Sequence, residues 1–163
     1  MLEIRGATED DFDGIWAIFH AIVRRGDTYP FSPETTRDEA YEIWVAAPTA
    51  TYVAASDDRM VGTYYIKPNQ ACLGAHVCNA GYMVAPDAHG HGVGRAMCEH
   101  SLSEARRLGF TAMQYNFVVA TNERAVGLWR DMGFEIIGTI PDAFRHARLG
   151  LVPAHIMYRS LEE

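Results

Sequence analysis

The stretch Val84-Ala85-Pro86-Asp87-Ala88-His89-Gly90-His91-Gly92-Val93-Gly94-Arg95 decides how this chain is read. It follows a mostly apolar run, His76–Val84, that reads as a strand covered on both faces. It precedes a run in which Val93, Met97, Cys98, Leu102, Ala105 and Leu108 fall on one helical face. The segment is therefore a strand-to-helix turn. Glycines at 90, 92 and 94 leave its backbone unobstructed. Successive N–H groups can then point into one concavity, with the positive end of the helix behind them. Such a turn holds a phosphate or pyrophosphate without a basic field. The plainer alternative is a turn rich in glycine for packing alone.

Two better-known phosphate loops do not fit. A P-loop ends in Gly-Lys-Ser/Thr, whereas Gly94 is followed by Arg95-Ala96. A dinucleotide fingerprint needs a third glycine that falls on Arg95 in one register and Met97 in the other.

On the N-terminal side, Leu2–Arg5 alternates as a strand. Thr8 caps a helix with Glu9, Asp10 and Asp11 in its first turn and an apolar stripe to about Arg24. Gly26–Pro33 is a turn-rich aromatic loop. Thr36 and Glu39 have capping-box form and open a helix to about Ala47, which Pro48 stops. Thr51–Ala55 and Met60–Lys67 flank Ser56-Asp57-Asp58-Arg59 as a hairpin, followed by a loop over Pro68–Gly74. On the C-terminal side, Arg106, Arg107 and Gly109 end the long helix. Ala112–Val119 is a strand. Asn122 starts a helix carrying Ala125, Val126, Leu128, Trp129 and Met132, closed by Gly133. Glu135–Ile140 reads as a strand, Pro141–Pro153 as a loop and Ala154–Ser160 as a last strand. The order β-α-α-β-β-β-α-β-α-β-β is α/β or α+β with a mixed sheet.

Length and composition bound the function. The 163 residues suit one domain over 1–163, large enough to bury roughly two-thirds of its unfolded surface. Lys plus Arg number 14 against 21 Asp plus Glu, a net charge of −7. A net-acidic domain lacks the field that nucleic acid or an anionic membrane needs, so neither is expected as a partner. The cysteines, Cys72, Cys78 and Cys98, are odd in number and lack CxxC spacing, so no disulfide framework and no metal is expected. Met1-Leu2-Glu3-Ile4-Arg5 has no apolar signal core, and no run approaches the roughly 18 apolar residues of a membrane helix. A soluble, cytoplasmic protein is the expectation.

The turn, as Val84-x-Pro86-x-x-His89-x-x-Gly92-x-Gly94, resembles the acyl-coenzyme A pyrophosphate loop of the GNAT superfamily of N-acyltransferases, whose pattern is Arg/Gln-x-x-Gly-x-Gly/Ala. Asn122-Glu-Arg-Ala125-Val-Gly-Leu128-Trp129-Arg-Asp-Met-Gly133-Phe134 is similar to that family's Asn-x-x-Ala-x-x-Leu-Tyr-x-x-x-Gly-Phe element. The opening Ile4-Arg5-x-Ala7-Thr8, followed by Asp11, resembles its common start. The resemblance covers essentially the whole chain. It implies a mixed, largely antiparallel central sheet of about seven strands with about four helices on both faces. It also implies acetyl-CoA as acetyl donor and a primary amine as acceptor. Backbone N–H groups of Gly90, His91, Gly92, Val93, Gly94 and Arg95 would hold the pyrophosphate. Met83 and Val84 would pair with the pantetheine arm and polarise the thioester carbonyl. Asn122 would bond the pantetheine region, and Ala125 and Trp129 would line the thiol end.

Two positions depart from the family. His89 stands where Arg or Gln is usual. An imidazolium adds charge that a neutral ring does not, so acetyl-CoA affinity is expected to fall as pH rises through the imidazole pKa, which a dianionic neighbour raises. His91 is a second candidate donor. Trp129 stands where relatives carry a Tyr that protonates the departing thiolate, and indole has no usable acidity. Tyr158 and Tyr82 are candidates to replace it, and Trp129 has an equal claim to be a core aromatic.

For the attacking amine to be neutral, a group or a water must accept its proton. His76, or a water near Tyr82 and Asn116, is the expected acceptor of that proton. Arg145 and Arg148 are candidates for a substrate carboxylate. The leading expectation is transfer to a small amino-acid-like amine. A protein Lys or N-terminal acetyltransferase and a non-catalytic acyl-CoA-binding regulatory module are the alternatives. A homodimer is possible.

Overall fold

The structure, a computed structural model, describes residues 1–162. Its strands are β1 (Leu2–Gly6), β2 (Ala50–Ser56), β3 (Arg59–Pro68), β4 (Val77–Val84), β5 (Ala112–Val119), β6 (Glu135–His146) and β7 (Gly150–Ser160). They form one seven-stranded sheet in the order β1-β2-β3-β4-β5-β7-β6. Only β4 and β5 run parallel; every other neighbouring pair is antiparallel. The helices are α1 (Phe12–Val23), α2 (Arg37–Tyr41), α3 (Val93–Arg107) and α4 (Glu123–Asp131). This is the mixed, largely antiparallel sheet with four helices that the resemblance implies.

Period-two alternation on β3 assigns the helices to faces. Tyr64 points to α3, where its hydroxyl meets His100 Nδ1 at 2.6 Å. Its neighbours Thr63 and Tyr65 point the other way, to Trp44 of the α2 segment: Trp44 Nε1 donates to Thr63 Oγ1 at 3.1 Å, and its ring lies edge-on to Tyr65. Phe19 of α1 packs on Trp44, while Trp129 of α4 packs on Tyr82. So α1 and α2 cover one face, and α3 and α4 cover the other. Trp44 and Tyr64 are both fully buried, one at the centre of each layer.

Local chemistry explains most boundaries. Thr36 Oγ1 accepts from Glu39 N and the Glu39 carboxylate accepts from Thr36 N, the predicted capping box. The helix it opens widens into a π-helical turn over Glu42–Ala46 that carries Trp44. Thr8 opens a 3-10 turn, Glu9–Asp11, before α1. The β2–β3 turn is built by Asp57 and Asp58, with φ of 51° and 62°. Both occupy the left-handed region that a two-residue hairpin turn of this hand requires, a role Asp fills without glycine.

The C-terminal expectation needs correction. Pro141–Pro153 is not a loop: β6 runs to His146 and β7 starts at Gly150. Two prolines and Asp142 in a positive-φ conformation look like breakers. Pro141 and Asp142 lie on the edge strand β6, one side of which needs no ladder partner, while Pro153 lies on the interior strand β7 opposite the register shift between Ile140 and Phe144, where no residue of β6 pairs with it.

Candidate active site

The parallel ladder between β4 and β5 is short. It holds two residue pairs, Val77 with Ala112 and Cys78 with Met113, and then the strands part. Asn79 sits at the fork: its Nδ2 donates to Gln114 O at 3.0 Å, and its Oδ1 accepts from the Tyr65 hydroxyl at 3.3 Å. Beyond it, one edge of β4 has no strand neighbour. Ala85 N donates to Val61 O at 2.8 Å, on the β3 side. Alternation then turns the backbone groups of Met83 toward β3 and those of Tyr82 and Val84 into the fork. Val84 therefore turns open backbone groups into the fork, as the role expected of it requires, whereas the N–H and C=O of Met83 face the ladder. Tyr82 supplies the second open pair instead.

Those groups of Tyr82 are met by a side chain. The Tyr29 hydroxyl donates to Tyr82 O at 2.6 Å and accepts from Tyr82 N at 2.8 Å. Tyr29 belongs to the Gly26–Pro33 loop and enters from the α1–α2 face, stacked on Phe31 and edge-on to Trp44. Burial pushes its phenol pKa upward, so it stays protonated and able to donate.

The α1–α2 face of the fork is lined by neutral polar side chains. Gln114 Nε2 donates to Asn116 Oδ1 at 3.0 Å, and Asn116 Nδ2 donates to Asn69 Oδ1 at 2.6 Å. Asn116 and Phe117 fall in the register shift between Tyr115 and Val118, which frees Asn116 to face the opening. Tyr158 pairs across from Gln114 and shares its face, half-buried. Lys67, across from Asn79, lays its ammonium 5.3 Å from the Tyr65 ring centroid. In the sequence Tyr29 stands out only as part of an aromatic loop suited to a pocket wall and Asn79 only as a polar group in an apolar strand, and nothing marks Lys67; the fork between two sequence-distant strands gives them meaning.

On the opposite face, Tyr82 is structural. Its hydroxyl is bonded to Ser101 Oγ and accepts from the Tyr115 hydroxyl at 3.0 Å. Burial raises its pKa well above the ordinary phenol value. Its side chain is sealed in the α3 layer, so the proton-transfer role considered for it does not hold; only its backbone reaches the fork. Trp129 packs on Tyr82 and Tyr115 with ring centroids 4.9 Å apart in each case, a core aromatic at the edge of the site.

His76 is also displaced from its expected role. It precedes β4 at the paired end, exposed, with its carbonyl accepting from Thr111 N. Six residues of strand, ~20 Å, separate it from Tyr82, so it is not the proton acceptor.

The glycine turn has the geometry its sequence suggests. Gly90 and Gly92 have φ of +82° and +77°, where any other residue would be strained. Gly94 is a packing glycine: a Cβ there would lie 3.2 Å from Leu128 Cδ2 of α4. Gly92 caps α3, and Ala96 N already bonds Gly92 O. Among the described residues, no acceptor bonds the N–H groups of Gly90 through Arg95. These free donors, at the start of a 15-residue helix, fit a pyrophosphate.

The side chains around the turn differ from expectation. Arg95 swings to α4, where Nη2 donates to Asp131 Oδ2 at 3.0 Å, leaving only its N–H for the turn. His91 turns back to Ala88 O at 3.3 Å. His89 is half-buried, and its pKa is lowered, first by desolvation and then by Arg124 and Arg25. His89 is therefore harder to protonate than a free imidazole, and the nearby positive charge comes from two arginines that no motif marked. Asn122 caps α4 through Oδ1, which accepts from Ala125 N at 3.4 Å. Its Nδ2 is left unbonded among the described residues, and Ala125 stays half-exposed beside it.

The tip between β6 and β7 closes over the Gly26–Pro33 loop. Ala147 N donates to Gly26 O at 2.9 Å. Asp27, buried, holds Arg25 at 3.2 Å and Arg148 at 3.7 Å. Arg148, considered above for a substrate carboxylate, is committed to this clasp, while Arg145 is exposed.

Comparison with known proteins gives these features a setting. Residues 16–134 match the acetyltransferase (GNAT) family. The chain is 32% identical over 161 residues to the N-acetyltransferase aca1 of Schizosaccharomyces pombe, covering 86% of this chain and 77% of that protein. It superposes with a TM-score of 0.93 on a GCN5-related N-acetyltransferase from Kribbella flavida, at 42% identity, over 98% of this chain and 97% of the other. A phosphinothricin acetyltransferase from Sinorhizobium meliloti, solved in complex with acetyl-CoA, has the same fold: TM-score 0.87, 20% identity, 99% of this chain and 89% of that one.

Proposed function

The chain belongs to the GNAT family of acetyltransferases and is an acetyl-CoA-dependent acyltransferase; on that footing we propose that its acceptor is the amino group of a small, amino-acid-like molecule. The observation that carries this reading is the clasp of Asp27 with Arg25 and Arg148, together with Ala147 N bonded to Gly26 O. It joins two loops over the α1–α2 face of the fork. An acceptor reaching Tyr82 from that face passes the clasped Tyr29 loop and the neutral polar side chains of Asn79, Gln114 and Asn116. That suits a small molecule better than a side chain standing on a folded protein. Lys67 supplies a cation on the same face for an acceptor carboxylate.

Each part of the chain then has a task. The N–H groups of Gly90–Arg95 hold the pyrophosphate. Val84 pairs its backbone with the pantetheine arm, and Asn122 Nδ2 donates to it. The N–H of Tyr82 polarises the thioester carbonyl, an oxyanion-hole role. His89 and His91 flank the phosphates as donors. Ala125 and Trp129 line the thiol end, and Tyr158, across from Gln114 on the acceptor face, is the phenol assigned to protonate the departing thiolate. The Asn116 and Gln114 amides hold the water that takes the amine proton. Positioning and carbonyl polarisation carry the rate, because a thiol leaves readily without a strong acid.

Three unbridged cysteines, two of them buried, fit a reducing compartment such as the cytoplasm. Ile137, Ile140, Leu149 and Leu151 expose an apolar strip on β6–β7 that suits a second copy of the chain. Sedimentation of a monomer at micromolar concentration removes the dimer.

Thiol release from acetyl-CoA across a panel of free amino acids, polyamines and Lys- or N-terminal-amine peptides tests the acceptor. Turnover with amino acids alone is expected. Turnover with peptides alone transfers the reading to a protein acetyltransferase. Acetyl-CoA binding without release from any amine would make the chain an acyl-CoA sensor.

A further inference from the structure

Tyr29 makes both hydrogen bonds that a neighbouring strand would make to Tyr82. One hydroxyl donates to the carbonyl at 2.6 Å and accepts from the N–H at 2.8 Å. The bonds lie at the fork, on the one stretch of β4 edge that no strand covers. Tyr29 is held there by its ring, stacked 5.7 Å from Phe31 and set 6.1 Å from Trp44. Trp44 is fully buried and anchored to Thr63. The loop that carries Tyr29 is in turn tied down by the Asp27 clasp. A side chain placed this deliberately on two main-chain groups is an occupant of a binding position.

We propose that Tyr29 is a gate on the acyl site: its hydroxyl fills, in the free enzyme, the place that the donor's acyl carbonyl takes on the Tyr82 N–H. The inference rests on acetyl-CoA being the donor and on the Tyr82 N–H polarising its carbonyl. An N–H offers one hydrogen, so the carbonyl and the Tyr29 oxygen cannot both accept it at full strength. Entry of the acyl group therefore breaks the bond from Tyr82 N, and the phenol moves off the strand. Free CoA carries no carbonyl at its thiol end and leaves Tyr29 in place. The gate thus opposes acylated donor and spares the product. It also keeps water from the Tyr82 N–H while no acyl group is bound.

Tyr29→Phe keeps both aromatic contacts and removes only the hydroxyl. Without its partner, Tyr82 binds water in the free state, which the acyl carbonyl displaces more easily. Isothermal titration without acceptor is expected to give an acetyl-CoA Kd about five- to tenfold lower in Y29F than in wild type, the effect of one hydrogen bond. The Kd for CoA should shift less than about twofold. A Y29F Kd for acetyl-CoA equal to or weaker than wild type overturns the gate. So does an equal gain for CoA, which would mark a general loosening of the loop. If wild type binds no acetyl-CoA at all, the donor assignment falls and the gate with it. Should Y29F not fold, a crystal structure of wild type with acetyl-CoA decides: Tyr29 Oη still bonded to Tyr82 N refutes the proposal, and Oη displaced from it supports it.

Discussion

The Nδ2 of Asn79 donates to the carbonyl oxygen of Gln114 at 3.0 Å one residue beyond the last paired step between β4 and β5. A side chain thus closes a ladder that the backbone has abandoned, and sets where the sheet opens. Asn79 is buried, and its Oδ1 also receives the Tyr65 hydroxyl. Asn79→Ala leaves two buried partners without a bond, which costs about 1–3 kcal/mol and lowers the melting temperature by about 3–8 °C. Because Asn79 fixes the width of the fork, kcat/KM should fall further than the stability loss explains. Unchanged kcat/KM at a temperature where the variant is fully folded would show that the fork is held without it.

The glycine turn separates backbone from side-chain binding. Gly92→Ala forces a Cβ into a left-handed conformation at a strain of about 1–2 kcal/mol and disturbs the first free N–H groups of α3. A loss of acetyl-CoA affinity of at least about tenfold follows. Arg95→Ala should change that affinity by less than about twofold, because its guanidinium is bonded to Asp131. Titration of both variants with acetyl-CoA checks the pair, and the opposite order would show that charge, not backbone, holds the phosphates.

How much of this was legible in the sequence follows the range of each cause. Residues 90, 92 and 94 act through local backbone geometry, and their spacing was enough to place the turn and the family. Val84 and Asn122 came with the same motifs. His76, Met83 and Tyr82 misled because a strand's residue types do not say which edge or face is open. That depends on where β5 parts from β4, between residues 35 apart in the chain. Lys67 was silent for the same reason, and Tyr29 was legible only as part of an aromatic loop suited to a pocket wall. The β6–β7 hairpin was missed because Pro141, Asp142 and Pro153 weaken a strand signal that the edge position of β6 and the register shift opposite Pro153 make tolerable.

The pH dependence of donor binding should be weaker than a free imidazole suggests. Desolvation, then Arg124 and Arg25, hold His89 below its ordinary pKa in the free protein. An imidazolium at His89 is therefore harder to form than on a free imidazole, so acetyl-CoA affinity should be flat on the alkaline side, up to pH 9. Any gain from an imidazolium is expected on the acid side, as pH falls through the pKa that His89 has beside the bound phosphates. The lowered pKa of the free protein also acts on folding: stability is full above about 6.5 and is lost as pH falls toward the folded-state pKa. Titration of wild type and His89→Gln with acetyl-CoA from pH 5.5 to 9 checks the binding half. A steady decline between pH 7 and 9, present only in wild type, would restore the imidazolium as the phosphate donor.

Acid stability turns on the start of the chain. The Arg5 guanidinium bonds both oxygens of Asp11, and Thr8 N donates to the same carboxylate. Arg5 first, and Thr8 with it, lower the Asp11 pKa to about 2 against burial that opposes them. A lowered carboxylate stabilises the fold above its unfolded value and loses that contribution as pH falls through about 2. Arg5 is partly exposed, so solvent screening reduces the effect to about 1 kcal/mol. Asp11→Asn should unfold at lower urea than wild type at pH 7 and match it near pH 2. A constant gap at both pH values would assign the loss to packing.

The clasp at the β6–β7 tip should act on the acceptor and not on the donor. Arg148 and Asp27 join the Tyr29 loop to the β6–β7 tip, while the glycine turn leads into α3 on the other face. Arg148 is two-thirds exposed, so its ion pair adds at most about 1 kcal/mol to folding. Arg148→Ala should therefore leave the fold and the acetyl-CoA Kd nearly unchanged. With the clasp released, an acceptor loses the walls that orient its amine, and its KM should rise several-fold. Asp27→Asn, which loosens Arg25 and Arg148 together, should raise it further. Steady-state kinetics with the best amine of the panel decides. Equal KM in wild type and both variants would mean that the two loops do not form the acceptor site, and the argument for a small acceptor would lose its footing.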